Sequence, residues 1–415
     1  MWPSHHILLT GGQNRLPAPV WTPVSVPPVP SGVRPLTGCV FLSGALGTIH
    51  AWSLFVMPLE TNLDVGRGAM SAVYSVALAC LTVVVLVGHP LFRHLPGALV
   101  ATIAAVGAAG GLLLAAEASS LTGLVVGYGV VFGGANGLGY AFALQRSAEA
   151  TPDRRGWALG LVTAAYALGA ATAAVALEAR IDAAGPEGGL RLLAGLILGA
   201  GLVSALLVGG VRSTAGGTGR TLSEDDRRLV GRLWAAYGLA VLAGLTALGH
   251  AAAVVEEAGG PDGVAVAVAG FACAVGGVWI ALVADRSQLR RLLVGLPFGS
   301  VAALLLGAST GHGLAALAAV AGIAFTYGAV IAVYPFAVNK LFGETRYPAA
   351  YGWMFTAWGT AGLVGPIGAG LLFEATGSYA LPLLLAAAAA VGSANLARSL
   401  PTGLRESGPL RSPSE

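Results

Sequence analysis

Twelve runs of about twenty residues, almost free of charge, follow one another along this chain and limit what it can fold into. Cutting at charged or Pro/Gly-rich breaks places them near 37–59, 72–91, 97–116, 121–144, 157–177, 191–210, 233–255, 264–284, 291–309, 313–338, 351–373 and 379–397. A bilayer core takes about 20 apolar residues per helix, so each run is long enough to cross one. A backbone in lipid must satisfy its own hydrogen bonds, and the alternation of a closed barrel is absent, so the runs read as helices. The expected fold class is an all-α polytopic membrane protein. Only 10% of the 415 residues are charged and 56% are hydrophobic. Soluble domains carry roughly a quarter as charged residues. This excludes an ordinary cytosolic enzyme, a disordered chain and a nucleic-acid binder. The net charge of +3 is too small and dispersed to require a polyanionic partner.

The longest charged interruption, 211–232, separates six runs from six. It is read as a cytoplasmic central loop between an N-terminal six-helix bundle (37–210) and a C-terminal one (233–400). Residues 1–36 hold eight of the 22 prolines and lack a basic-then-apolar signal pattern. They are expected to form a disordered cytoplasmic tail, as is the short segment 401–415. Breaks on one side of the membrane carry fourteen of the 22 basic residues, among them Arg146, Arg154, Arg155, Arg227, Arg228, Arg290 and Arg291. The other side carries Arg67, Arg180 and Arg191. The basic side is expected to be cytoplasmic, with both termini inside and the chain in a plasma membrane. One lysine against 21 arginines, with abundant Ala and Gly, points to a GC-rich bacterial genome. Cys39, Cys80 and Cys273 lie in apolar runs without a CxxC pair, so no disulfide framework or zinc site is implied, and no cofactor is expected.

The halves echo each other. Tyr140-Ala-Phe-Ala-Leu-Gln-Arg146 closes the fourth run and Tyr334-Pro-Phe-Ala-Val-Asn-Lys340 the tenth. Gly160, Tyr166 and Asp182-Ala-Ala-Gly185 parallel Gly352, Trp358 and Glu374-Ala-Thr-Gly377; Gly44-x5-His50 parallels Gly244-x5-His250 more weakly. Ala/Gly-rich helices resemble one another without common origin, and the histidine match alone does not decide between the two. A parallel repeat of six-helix halves is the mark of a transporter with its substrate between them near midplane.

With this organisation the chain resembles the major facilitator superfamily over 37–400. Four stretches resemble its oxalate/formate antiporter branch: His50-Ala-Trp-Ser-Leu-Phe-Val-Met-Pro58 with Asn62-Leu63; Pro152-Asp-Arg-Arg-Gly156 running on to Ala164-Ala-Tyr-Ala-Leu-Gly169; Tyr334-Pro335 with Phe342-Gly343; and Tyr351-Gly352 with Thr356-Ala-Trp-Gly-Thr360. The resemblance implies two pseudo-symmetric six-helix bundles. It also implies an arginine in span eight and a lysine in span eleven to hold a dianion, but here those positions are Gly277 and Trp358. Two desolvated carboxylates without fixed cations are costly, so oxalate is an implausible cargo. Asp285-Arg286 matches the family's loop after span eight and is expected to act as a cytoplasmic latch.

No Asp, Glu, Lys or Arg sits in the middle third of a predicted span, so the buried carboxylate that usually carries protons is missing. Glu60, Glu178 and Glu374, at span ends, are expected to snorkel into the interface. The titratable groups left inside are His50, about 20 Å along the first helix, and His250 nearer the outer end. An imidazole near pKa 6.5 binds an anion when protonated and releases it when neutral, so both are proton-coupling candidates, against the plainer reading of a neutral packed His. On the resemblance, His50 stands where the family has a pocket tyrosine, and Tyr140, Tyr166, Tyr327 and Trp358 line its aromatic cage. With Asn136, these are the candidate substrate contacts, each open to plain helix packing as an alternative. The expected function is secondary transport of a small organic solute, a monocarboxylate or small metabolite, by a monomer and with possible proton coupling. Export of an apolar metabolite and a non-transporting sensor or scaffold are the alternatives. Without HExxH, paired mid-span carboxylates or a Walker pattern, an enzyme is not expected.

Overall fold

The computed structural model describes residues 32–210, 222–284 and 286–400. Residues 1–31 of the expected tail 1–36, half of the expected central loop (211–221 of 211–232), Asp285 and the tail 401–415 therefore lie outside the described residues; helix already begins at Val33 and at Glu224, inside the segments expected to be tail and loop. Among the described residues every regular element is helical.

Among the described residues eleven stretches are long and apolar enough to cross a membrane, and the longest contains a break that makes twelve helices. They are α1 (Val33–Leu63), α2 (Arg67–Val87), α3 (Gly97–Ala116), α4 (Leu121–Ala150), α5 (155–183), α6 (186–208), α7 (Glu224–Leu248), α8 (Asp262–Val283), α9 (Leu289–Ser309), α10 (Gly313–Gly343), α11 (Ala349–Thr376) and α12 (Ala380–Arg398). A short helix, Ala251–Glu257, continues α7 beyond a turn at His250.

The helix ends follow local chemistry. Between α5 and α6 the chain reverses at Gly185, whose φ of 70° only glycine adopts cheaply, and restarts at Pro186, which needs no N–H in a first turn. Gly377, the residue paired with Gly185 by the internal repeat, has the same φ of 70° and ends α11. Helix α7 opens on a capping box between Ser223 and Asp226, with Glu224 and Asp225 also in the first turn where the helix dipole favours acids.

Large apolar side chains such as Leu206, Phe271, Leu282 and Val83 are more than half exposed around the bundle. In water this would be an aggregating surface; it is the face a membrane protein turns to lipid. Inside, small residues bring backbones together. Gly133 and Gly137 of α4 lie on the backbone of Ala77 and Leu81 of α2, where a Cβ at Gly137 would come within 2.8 Å of Leu81 Cα. Between the halves, α2 runs along α11, with Gly359 over Thr82, Gly362 over Leu78 and Gly370 over Ser71. The matching contact sets α5 on α8, with Gly270 against Ala167 and Ala171.

Residues 32 and 150, and 98 and 209, are joined by backbone hydrogen bonds at the end that holds the described termini. We call this the near end. The sequence places Arg146 there in a solvated break, and the structure corrects that. Helix α4 continues to Ala150, and Arg146 is buried at 2% exposure, facing Glu149 at 3.4 Å. Its Nε and Nη2 have no hydrogen-bond partner.

Candidate functional site

Halfway along α1 the α-helical winding tightens into a 3-10 stretch, Gly47–Trp52, that carries His50. Opposite it, α4 loosens into a π-helix over Val125–Phe132. Such irregular turns re-aim carbonyls that lipid cannot satisfy, so protein groups must take them. Helix α4 supplies both. Asn136 Nδ2 donates to the Leu46 carbonyl at 2.7 Å, and the Tyr128 hydroxyl donates to the Ile49 carbonyl at 3.1 Å. Gly47 and Gly169 let α1 and α5 meet backbone to backbone at the same level.

The polar groups then form a chain. The Tyr166 hydroxyl donates to Asn136 Oδ1 at 2.9 Å, which leaves the Asn136 amide bonded at both ends and wholly buried. His50 Nδ1 lies 2.8 Å from the Tyr74 hydroxyl on α2, and its ring meets Tyr166 edge-on at 5.6 Å between centroids. Tyr140 and Tyr166 rings lie 4.5 Å apart. From the second half, Trp358 Nε1 donates to the Tyr327 hydroxyl at 2.9 Å, and the Tyr327 ring fills the space above Gly244. Tyr74 and Tyr166 from the first half and Tyr327 and Trp358 from the second belong to one continuous buried core, and Tyr140 packs against it.

Four of the six expected substrate contacts thus form two bonded pairs, Asn136 with Tyr166 and Tyr327 with Trp358. His50 and Tyr140 pack against the first of these pairs and retain partial exposure. Sequence reasoning passed over Tyr74, which holds His50, and Tyr237, whose ring lies 4.8 Å from that of Tyr334. It quoted Tyr351 for the resemblance without placing it at the site; its ring stacks on Tyr347 at 5.3 Å. All are tyrosines inside apolar runs, a signal present in the sequence and spent there only on positions suggested by resemblance. The middle of the assembly is therefore rich in ring faces, hydroxyls and one imidazole, with aromatic pairs in offset or edge geometries.

His250 lies elsewhere. It is 1% exposed near the end opposite the termini, with both ring nitrogens engaged. Nδ1 is 3.0 Å from the Tyr379 hydroxyl; Nε2 is 3.1 Å from the Pro366 carbonyl and 3.3 Å from Ser71 Oγ. Around it Arg67 pairs with Glu60, donates to Tyr379 at 2.6 Å and lies over the Phe373 ring at 4.7 Å. Glu374 accepts the Gly68 N–H at 2.9 Å. Glu60 and Glu374 are thus tied into contacts between helices rather than reaching outward. Of the expected latch, Asp285 lies outside the described residues, while Arg286 is exposed with its N–H on the Val283 carbonyl.

A solved structure described as a bacterial homologue of the human lysosomal transporter Spinster, inward-facing and unoccupied, superposes with a TM-score of 0.62. The match covers 87% of this chain and 92% of that one at 12% sequence identity. The chain has the major facilitator superfamily fold. A second relative supports this from sequence: an uncharacterized MFS-type transporter, YhjX of Escherichia coli strain K12. It is 25% identical over 338 residues, covering 78% of this chain and 84% of that protein. No family model matches the sequence. The chain is a multi-pass membrane protein of this fold, similar in sequence to an MFS-type transporter.

Proposed function

We propose that this protein carries a small organic solute across the plasma membrane by alternating access, in the manner of the oxalate/formate branch but with another cargo. The basic near end faces the cytoplasm on this reading, with both termini inside. The observation that carries it is one buried core in which Tyr74 and Tyr166 of the first half join Tyr327 and Trp358 of the second, with His50 and Tyr140 packed on Tyr166 beside the irregular turns of α1 and α4. A site shared by two halves is the arrangement that rocking those halves would expose to each side in turn.

The chemistry of the walls narrows the cargo. Gly277 and Trp358 replace the two cations expected of a dicarboxylate carrier, so a dianion would be left unpaired. Ring faces and hydroxyls suit a compact solute with one polar end, a monocarboxylate or an uncharged metabolite. His50 supplies a single charge when protonated, which would tie the binding of a monoanion to proton uptake. Flux in proteoliposomes, measured for short monocarboxylates, dicarboxylates and neutral metabolites with and without an inward-acid gradient, tests this. Saturable, gradient-driven monocarboxylate flux lost in His50→Ala is the expected result. Dicarboxylate flux would overturn the reading of the missing cations. The absence of transport for every solute would overturn the transporter reading itself. The absence of charge favours one second reading, export of an apolar metabolite, which the neutral members of the panel would reveal.

A further inference from the structure

The far end of the assembly is closed by a cluster of polar groups that the proposed transport cycle does not use, and every bond across it joins one half to the other or holds a residue that does. Arg67 and Ser71 come from α2. His250 follows α7, Pro366 and Glu374 belong to α11, and Tyr379 leads into α12. The Arg67 to Tyr379, Ser71 to His250 and Gly68 to Glu374 contacts all cross the seam.

Proton positions in this cluster follow from the donors. A phenol hydroxyl has one proton, and Arg67 already donates to the Tyr379 oxygen, so Tyr379 spends its own proton on His250 Nδ1. His250 Nδ1 is then an acceptor and Nε2 carries the ring proton, aimed at the Pro366 carbonyl. The Ser71 hydroxyl donates to the Arg67 carbonyl at 2.7 Å, so toward His250 it too can only accept. All of these roles agree with a neutral imidazole. A proton added at Nδ1 would force the Tyr379 hydroxyl to turn away and leave one oxygen facing two cationic donors, Arg67 and the imidazolium. Glu60 is already bound to Arg67. Glu257 is engaged with Ser378 and the Tyr379 N–H, and Glu374 with the Gly68 N–H.

We propose that His250 Nδ1 is a proton-binding site for the outer aqueous phase, whose occupation opens the outer rim by breaking the Tyr379–Arg67 link between the halves. This rests on the alternating-access reading and on the near end being cytoplasmic. It also distinguishes the two histidines. His50 and its partner Tyr74 both belong to the first half, so the His50 bond is not itself a contact between halves. A ligand shifts an equilibrium only by its differential affinity for the two states, and His250 has that difference built into its contacts.

The size follows from an imidazole that titrates near 6.5 in water. If the closed rim excludes the proton and the open rim admits it freely, moving from pH 8 to pH 5 shifts the open-to-closed ratio by on the order of thirtyfold.

The test is an electron spin distance measurement on the full chain in lipid nanodiscs, with spin labels at Ser119 and Ser309. Both are exposed at the far end, one in each half. The native cysteines are replaced by alanine. The expected result is two distances, with the longer gaining at pH 5, and loss of that gain in His250→Gln. His50→Gln should keep the gain, and Tyr379→Phe should favour the longer distance at both pH values. Two distances whose ratio ignores pH, or whose pH response survives in His250→Gln, would overturn the proton site and leave alternating access standing. A single distance under every condition would overturn alternating access and this inference with it. A wild-type pH response lost only in His250→Gln, in a protein that moves none of the panel of solutes, would uphold the proton site alone.

Discussion

Removing the Asn136 side chain should cost more than its single amide implies, because both ends of that amide are committed. In Asn136→Ala the Leu46 carbonyl loses its 2.7 Å donor and the Tyr166 hydroxyl loses its 2.9 Å acceptor, at a site with no exposure. Hydrogen bonds between membrane helices contribute about 0.6 kcal/mol on average and up to about 1.7. Two of them give a loss of about 1 to 3 kcal/mol. At roughly 2 °C per kcal/mol for a chain longer than 250 residues, the midpoint of thermal unfolding should fall by about 2 to 6 °C. Cys39 is fully buried on α1, so its reaction with a fluorogenic maleimide during heating reports when that helix comes away. The decisive comparison is Tyr166→Phe alone and combined with Asn136→Ala. If the two side chains share one bond, the double variant should be less destabilised than the sum of the singles by about 0.5 kcal/mol or more. Additive losses would refute the bonded chain, and an unchanged midpoint in Asn136→Ala would refute the idea that the 3-10 turn needs a donor from α4.

Other consequences are as specific. Gly137→Leu puts a branched side chain where a Cβ already meets the Leu81 backbone; we expect it to cost about 3 kcal/mol or more and to be seen as loss of folded protein on size-exclusion chromatography. Gly185→Ala, at φ 70° and ψ 174°, should lower the thermal midpoint through about 1–3 kcal/mol of backbone strain, whereas Gly352→Ala, with open space around it, should change little. Trp358→Phe removes the donor to the Tyr327 hydroxyl and should raise the KM for the transported solute severalfold without lowering the amount of folded protein. Oxalate should neither be taken up by the wild-type protein nor compete with its solute in the flux assay, and competition would refute the argument from Gly277 and Trp358.

The spans were legible because lipid imposes one rule on every residue of a helix, and the charge-free runs record it directly. The repeat was legible at Gly185 and Gly377, where a φ of 70° favours glycine in both halves although ψ differs, 174° at Gly185 and 11° at Gly377. The far-end cluster was not. Arg67 reads as a loop charge and Glu374 as a snorkelling residue at a span end, because they lie more than 300 positions apart and nothing local to either says that Glu374 caps the N–H next to Arg67. Tyr74 was missed for a related reason: a lone tyrosine in an apolar run becomes informative only when α1 places an imidazole against it. The irregular turns of α1 and α4 left no propensity signal either, since Gly-Thr-Ile-His-Ala-Trp is as acceptable in an α-helix as in a tighter one. Burial of Arg146 depended on α4 running on to Ala150, a boundary the charge pattern places earlier.

One helix reaches both histidines and the second half. Along a single stretch of α2, Ser71 meets His250 at the far rim, Tyr74 meets His50 at the centre, and Leu78 and Thr82 carry glycines of α11. These positions span about 16 Å at 1.5 Å per residue. Treated as a stiff rod over that length, α2 turns a ten-degree tilt into a displacement of about 3 Å, the length of the hydrogen bonds at its end. A solute pressing on Tyr74 would thus be felt at Arg67 without any side chain between them changing rotamer. Glycine on the α11 side leaves the rod free to slide, because it presents no side chains that would have to unlock first.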